Sequence, residues 1–354
     1  MAQSTTAAAR LPRTRLNLSA YGERIAGFTI LAAVAAWLAI NFIDNPQQFM
    51  TASVIGISNG ALYALIALGY SLVYGIIELI NFAHGDLFML GTLLSATVVA
   101  AAFNLFNEPV GMGALGWLVF AGTLVLAAAF CASINVTIEF LAYRRLRHAP
   151  KLAPLITAVG MSFILQFIGL KWNGSGQKDQ PSVLPQGSID LGGVQIDTNF
   201  FVVLAVVIPV LVLMTWIVTK TRAGKAMRAT AQDPDAARLM GVNVNRIISF
   251  TFAMGGALAG IAGLMYEQVV TTTRYDLGLQ LGLIAFTAAV LGGIGSLPGA
   301  VLGGVLIGLI QGLNEGVKYG AGQRWTQSVV FSILILMLVF RPAGLLGKAT
   351  REKV

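Results

Sequence analysis

Apolar residues run along this chain in blocks about as long as a bilayer is thick, divided by short polar or charged punctuation. A helix needs about 20 apolar residues to cross the hydrocarbon core. Ten windows fit that requirement once charges are used as dividers: residues 25–43, 52–77, 87–106, 116–140, 153–171, 200–219, 247–270, 280–294, 299–314 and 326–341. The pattern predicts an all-α, polytopic integral membrane bundle of about ten transmembrane helices, with two of its segments broken by polar residues. It divides the chain into an N-terminal tail (1–24), a membrane domain (25–341) and a C-terminal tail (342–354). The first window follows Arg10, Arg13, Arg15 and Arg24, as the apolar core of a signal peptide would. It is longer than such a core and lacks a small-x-small cleavage site before Asp44, so it is read as a span.

Composition supports lipid rather than water as the solvent. Of 354 residues, 56% are hydrophobic and 11% charged, against about 25% charged in soluble domains, and mean hydropathy is +0.77. A single cysteine, Cys131, excludes an internal disulfide and multi-cysteine metal sites. Two histidines, His84 and His148, leave metal chemistry poorly supplied.

The net charge of +8 is explained by where the basic residues fall. Eighteen of the 23 lie in the N-terminal tail, in 144–151, in 220–246 and after residue 340. The other five, Lys171, Lys178, Arg274, Lys318 and Arg324, fall on the opposite side if ten spans alternate. This asymmetry places both termini in the cytoplasm, with the basic loops facing anionic lipid. No base-reading or stacking module accompanies the charge, so no nucleic-acid partner is implied.

Two breaks stand out. Residues 75–91 (GIIELINFAHGDLFMLG) and 287–304 (TAAVLGGIGSLPGAVLGG) each set a polar, glycine-containing interruption between apolar helices, one in each half. Breaks in corresponding positions of two halves point to a translocation path. The candidates are Asn81, His84, Gly85 and Asp86 in the first break and Gly292, Gly293, Gly295, Ser296 and Pro298 in the second. Ionisable groups near hydrocarbon are expensive, so Glu78, His84 and Asp86 are expected to face a cavity or an internal partner. The alternative is a short cytoplasmic turn with Asp86 favouring the dipole of the next helix. Small residues at Gly255, Gly256, Ala259, Gly260 and Gly263, and at Gly299, Gly303, Gly304 and Gly308, predict seams of close helix packing.

The cytoplasmic loop 220–246 is expected to carry a short helix over 235–240, begun by Asp233-Pro234 and stopped by Gly241. Docking to a partner protein and lying on headgroups are both open for it. The outer loop, 172–199, contains Asp179, Asp190 and Asp197 and a valine/isoleucine alternation suited to a small hairpin. No phosphate loop, nucleophile elbow or His-Glu-x-x-His motif is present, so neither an enzyme nor a cofactor is expected. Glu139 and Glu267 read as isolated charges at span ends.

Three stretches, 58–91, 222–252 and 285–309, together resemble the permease subunits of branched-chain amino acid ABC importers, the LivH type. The resemblance covers 51–344 and leaves out the N-terminal tail. It implies the importer permease fold in a bacterial inner membrane. It also implies partners: a second, LivM-like permease, two cytoplasmic ATPase subunits that use the ATP, and a periplasmic amino acid binding protein. Residues 235–241 are similar to the E-A-A-x-x-x-G pattern of importer permeases, with Asp235 in place of Glu and without the downstream I-x-L-P. The resemblance therefore implies that Asp233, Asp235, Ala236, Ala237 and Gly241 couple to the ATPases. Asn81, His84, Gly85 and Asp86 match the family's N-F-A-H-G-[ED] motif beside the path. The same architecture carrying urea, short amides or other amino acids stays open, as does an ion-coupled carrier using an intramembrane carboxylate.

Overall fold

A computed structural model describes residues 18–79, 81–106, 113–147, 149–150, 152–180, 182–184 and 187–347. The tail expectations for 1–17 and 348–354, and His148, lie outside the described residues. Helix α1 (Leu18–Asp44) forms a unit of its own and starts before the expected residue 25.

The rest of the bundle holds α2 (Pro46–Ile77), α3 (Ala83–Phe106), α4 (Gly113–Ile138), α5 (Leu152–Asn173) and α6 (Thr198–Lys220). Two short helices follow, α7 (Arg222–Gln232) and α8 (Pro234–Leu239), and then α9 (Val244–Val270), α10 (Leu277–Gly292), α11 (Leu297–Gly316) and α12 (Thr326–Phe340). Each expected window is helical over most of its length, and among the described residues eight helices are long and apolar enough to cross a membrane. Leu277–Gly292, with 16 residues, is shorter. The chain is a multi-pass membrane protein.

Burial sorts the helices. Most of α2, α3 and α9 is buried, whereas α4, α5, α6 and α12 turn Val125, Phe163, Leu213 and Val339 outward. Outward apolar side chains cost nothing in lipid, and association must then come from packing rather than from the hydrophobic effect. The glycine seams supply it. A Cβ on Gly304 of α11 would lie 2.5 Å from the Cα of Ala64 in α2, and one on Gly60 would lie 2.8 Å from the Cα of Val305. On α9, Gly256 and Gly263 meet the backbones of α4 and α3 in the same way. Asn135 of α4 adds a 2.7 Å hydrogen bond to the carbonyl of Phe252 in α9.

Both ends of the bundle are closed by contacts between loops. At one end, β1 (Lys178–Asp179) pairs with β4 (Thr272–Thr273), and β2 (Ser188–Leu191) with β3 (Val194–Asp197) makes the expected hairpin about Gly192-Gly193. The side chain of Gln268 accepts from Ser182 Oγ and Val183 N, both at 2.9 Å, and so pins the long loop to the end of α9. At the other end, Leu345 and Leu346 donate to the carbonyls of Leu291 and Gly292, each at 2.9 Å, and satisfy the last turn of α10.

Gly304→Ala should destabilise the protein by about 1–3 kcal/mol through overpacking. Gly122→Ala, where a Cβ meets no atom within 4 Å, should be neutral or slightly stabilising. Thermal unfolding of the detergent-solubilised chain measures the difference; equal effects would mean that the α2–α11 contact is not tight.

Candidate functional site

The two breaks lie side by side. Each joins consecutive helices: the break at 78–82, in which Ile80 lies outside the described residues, links α2 to α3, and 293–296 links α10 to α11. Glu78 adopts φ +52°, Gly293 φ +107° and Gly295 φ +84°, conformations in which the chain reverses. A Cβ on Gly75 would lie 3.6 Å from the Cα of Gly295. Between the turns is a cavity of about 10 Å³ lined by Tyr70, Tyr74, Leu79, Asn81, Phe286, Ala289 and Ile294. It has room for one water at most.

The first-break residues are packed inside the chain. Asn81 accepts from the Tyr143 hydroxyl at 2.8 Å, and its carbonyl accepts from His84 N at 3.1 Å. The His84 ring stands edge-on to Tyr70 at 4.7 Å, in space that a side chain on Gly69 would fill. Neither of its ring nitrogens has a hydrogen-bond partner among the described residues. Asp86 lies in the first turn of α3, as the dipole reading expects, and is fully buried, as the internal-partner reading expects. Its Oδ2 accepts from Ser162 of α5 at 2.5 Å, and Gln166 backs Ser162 at 3.1 Å. Oδ1 is unpaired and faces Gly278 of α10, while Gly85 abuts Gly278 and Gly282. In the second break, Gly292 and Gly293 are buried, Gly295 and Pro298 are exposed, and Ser296 caps α11 by accepting from Gly299 N at 3.2 Å. Of these residues Asn81 lines the small cavity between the turns.

A larger recess, about 300 Å³, lies at the opposite end of α10, lined by residues including Tyr266, Thr273, Arg274 and Gln280. Arg274 is held there by both oxygens of Asp276.

The loop 220–246 contains two helices where one was expected. In α7, Thr221 caps by accepting from Gly224 N at 3.1 Å, and Met227 and Thr230 are buried. Helix α8 starts and stops where Asp233 and Gly241 place it. Asp233 Oδ1 accepts from the amides of Asp235 and Ala236 at 2.9 and 3.0 Å, Pro234 opens the first turn, and Gly241 ends it at φ +83°. Ala237 is buried, and Asp235 is exposed and bridged to Arg238 at 2.7 Å. Leu239 and Met240 are 89% and 84% exposed.

Glu139 and Glu267 are not isolated loop-edge charges. Both carboxylates are fully buried. Glu139 opens a π-helical turn, Glu139–Tyr143, at the end of α4. It accepts from Arg144 at 2.9 and 3.2 Å, from Arg147, and from Ser249 of α9 at 2.7 Å. Arg147 also donates to Asn245 at 2.6 Å. A buried charge persists only with such compensation. Glu267 sits against Gln268, with its other oxygen unpaired. An acid five residues before Arg144 was a visible hint of the first cluster, but Ser249 is 110 positions from Glu139 and left no local signal.

The described residues form a multi-pass helical bundle with two adjacent breaks and a capped short helix between α7 and α9. Residues 52–339 match the family described as branched-chain amino acid transport system / permease component, and the chain belongs to that family. It is 39% identical to the high-affinity branched-chain amino acid transport system permease protein BraD of Pseudomonas aeruginosa, over 87% of this chain and 98% of that one. It is 36% identical to the permease protein LivH of Escherichia coli strain K12, a protein of the same description, over 84% and 96%. The autoinducer 2 import system permease protein LsrC of Yersinia pestis is 24% identical, over 77% and 71%.

Asp233→Ala should cost α8 about 1 kcal/mol of local stability through loss of its cap. Amide hydrogen exchange over 235–240 should speed up about fivefold while the middle of α9 is unchanged. Unchanged exchange at 235–240 would mean that the cap does not hold the helix.

Proposed function

We propose that this chain is the membrane-spanning subunit of an ATP-driven importer that moves leucine, isoleucine and valine across the bacterial inner membrane by alternating access. The observation that carries this reading is the near full-length similarity to BraD and LivH, both named as high-affinity branched-chain amino acid permeases. The proposed assembly adds a second, LivM-like permease, two cytoplasmic ATPases and a periplasmic binding protein. The chain needs no cofactor and catalyses no reaction, since the ATPases use the ATP.

Geometry supports the division of labour. The turns 78–82 and 293–296, the basic segment 144–147, helices α7 and α8 and residues 341–346 share one end of the bundle, joined by Tyr143–Asn81, Arg147–Asn245 and Leu345–Leu291. Lys171, Lys178, Arg274, Lys318 and Arg324 belong to the other end, where the 172–199 loop lies. The positive-inside rule makes the first end cytoplasmic, along with both termini. Leu239 and Met240 of α8 then face the ATPases, with Asp233, Asp235, Ala236, Ala237 and Gly241 shaping the helix that presents them.

The packed interior around His84 and Asp86 supports a path completed by a second permease, the first-break residues bracing its wall instead of touching cargo. ATP binding closes the ATPases, α8 moves, and the differential binding energy rocks the two permeases about the shared cavity. A zwitterion with an apolar side chain needs a mostly apolar wall with a few dipoles. The similarity to LsrC supports a second reading, the same architecture with a different cargo.

Co-purification from the native membrane should yield two ATPases and a second permease. Vesicles holding that complex should take up radiolabelled leucine only with ATP and the binding protein, with competition by isoleucine and valine and none by urea or acetamide. Competition by urea alone would favour the second reading, and uptake by this chain alone would overturn the importer. Replacing Leu239 and Met240 together by Asp should lower uptake by about tenfold or more, as loss of apolar anchors at an interface does. Single cysteines at 240 and 189 should label from opposite faces, since native Cys131 is buried; labelling from the same face would overturn the topology.

A further inference from the structure

We propose that residues 139–147 form a mechanical relay, in which Glu139 and Tyr143 carry the displacement of the α8–α9 segment to the turn at 78–82. This rests on the importer reading, in which α8 is the element the ATPases move.

Helix α9 begins immediately after α8, capped by Asn243, which accepts from Arg246 N at 3.1 Å. Its first turns carry Asn245 and Ser249, which join Arg147 at 2.6 Å and Glu139 at 2.7 Å. The segment between the two helices is tied back to α8 by Val242 N, which donates to the Ala237 carbonyl at 3.0 Å. The Glu139 carboxylate is fully buried, with donors from two arginines and a serine. Parting a donor from it removes part of the compensation that a buried charge requires, which favours motion of the cluster as one body over its opening.

The next link lies within the same π turn, a rare feature that is frequent at functional sites. Tyr143 ends the turn, packs its ring 5.7 Å from that of Phe252 in α9, and donates its hydroxyl to Asn81 at 2.8 Å. Asn81 in turn holds the first amide-bonded turn of α3 through its carbonyl. The contacts therefore run without a gap from α8 to the start of the helix that carries His84 and Asp86. A purely anchoring role for Glu139 would need only the arginines. It would leave unexplained why the same short turn also grips the 78–82 break.

Contiguity alone does not establish energetic coupling, and a double-mutant cycle does. The complete transporter, with wild-type, Tyr143→Phe, Glu139→Gln or doubly substituted permease, is reconstituted with leucine-loaded binding protein. Uptake and ATP hydrolysis are then measured in the same vesicles. Each single variant should lower leucine moved per ATP hydrolysed by about tenfold, inside the range typical of coupling between sites. Hydrolysis itself should stay within about twofold of wild type, because the ATPase sites are untouched. The double variant should fall no further than the worse single one. Should Glu139→Gln fail to insert, Ser249→Ala replaces it in the cycle. Uptake and hydrolysis falling in proportion, a single variant with wild-type uptake per ATP, or losses that multiply in the double would each overturn the relay. Absence of ATP-driven uptake in wild-type vesicles would instead overturn the importer reading on which it rests.

Discussion

Close approach of helix backbones is the constraint from which the rest of this bundle follows. In lipid, apolar side chains gain nothing by turning inward, so helices stay together only where they fit. Here the fit is made by glycine against backbone, along α2 and α11 and along α9 with α3 and α4. The same device makes room for the polar interior. Gly69 leaves space for the His84 ring, and Gly278 and Gly282 let α10 close over Gly85 and Asp86. Larger residues at these positions would hold the helices apart and open the buried ionisable groups to lipid or water, where their local partners would be lost.

Polar groups occupy the bundle under strict terms. Asp86 is bonded across helices to Ser162, Asn135 to the Phe252 carbonyl, and Glu139 to two arginines and Ser249. The bonds to Ser162, to the Phe252 carbonyl and to Ser249 join helices distant in sequence, so these polar residues serve as fasteners between helices, while the two arginines neutralise Glu139 locally. They concentrate at the end that carries α7, α8 and the basic segments, where a change in α8 has firm structure to act on. The opposite end is held differently, by β pairing and by Gln268, which fixes the long loop beside the recess at Arg274.

Such an arrangement suits a protein that moves cargo without chemistry. Affinity, energy supply and specificity are divided among proposed partners, and this chain contributes a rigid, lipid-facing body with one exposed apolar tip. The two breaks lie side by side as turns, Gly75 beside Gly295, and on the proposed reading a second permease completes the passage beside them.

Much of this was legible in the linear chain. Apolar run length marked every helical window, because a span must satisfy its backbone internally and helices alone do so over about 20 residues. Asp233-Pro234 and Gly241 bounded α8 correctly, since capping and positive φ are local properties. Motif content pointed to the family. Helix α7 was missed because its apolar face is only a few residues wide in a charged loop. The placement of Glu139, Tyr143 and Ser249 in one network was decided by tertiary structure alone. Burial and partnership depend on which backbones touch, and glycines distant in sequence set that contact. For the same reason the sequence could name Asn81, His84 and Asp86 as unusual, but only the packing of α3 against α5 and α10 determined that they face the interior of the chain.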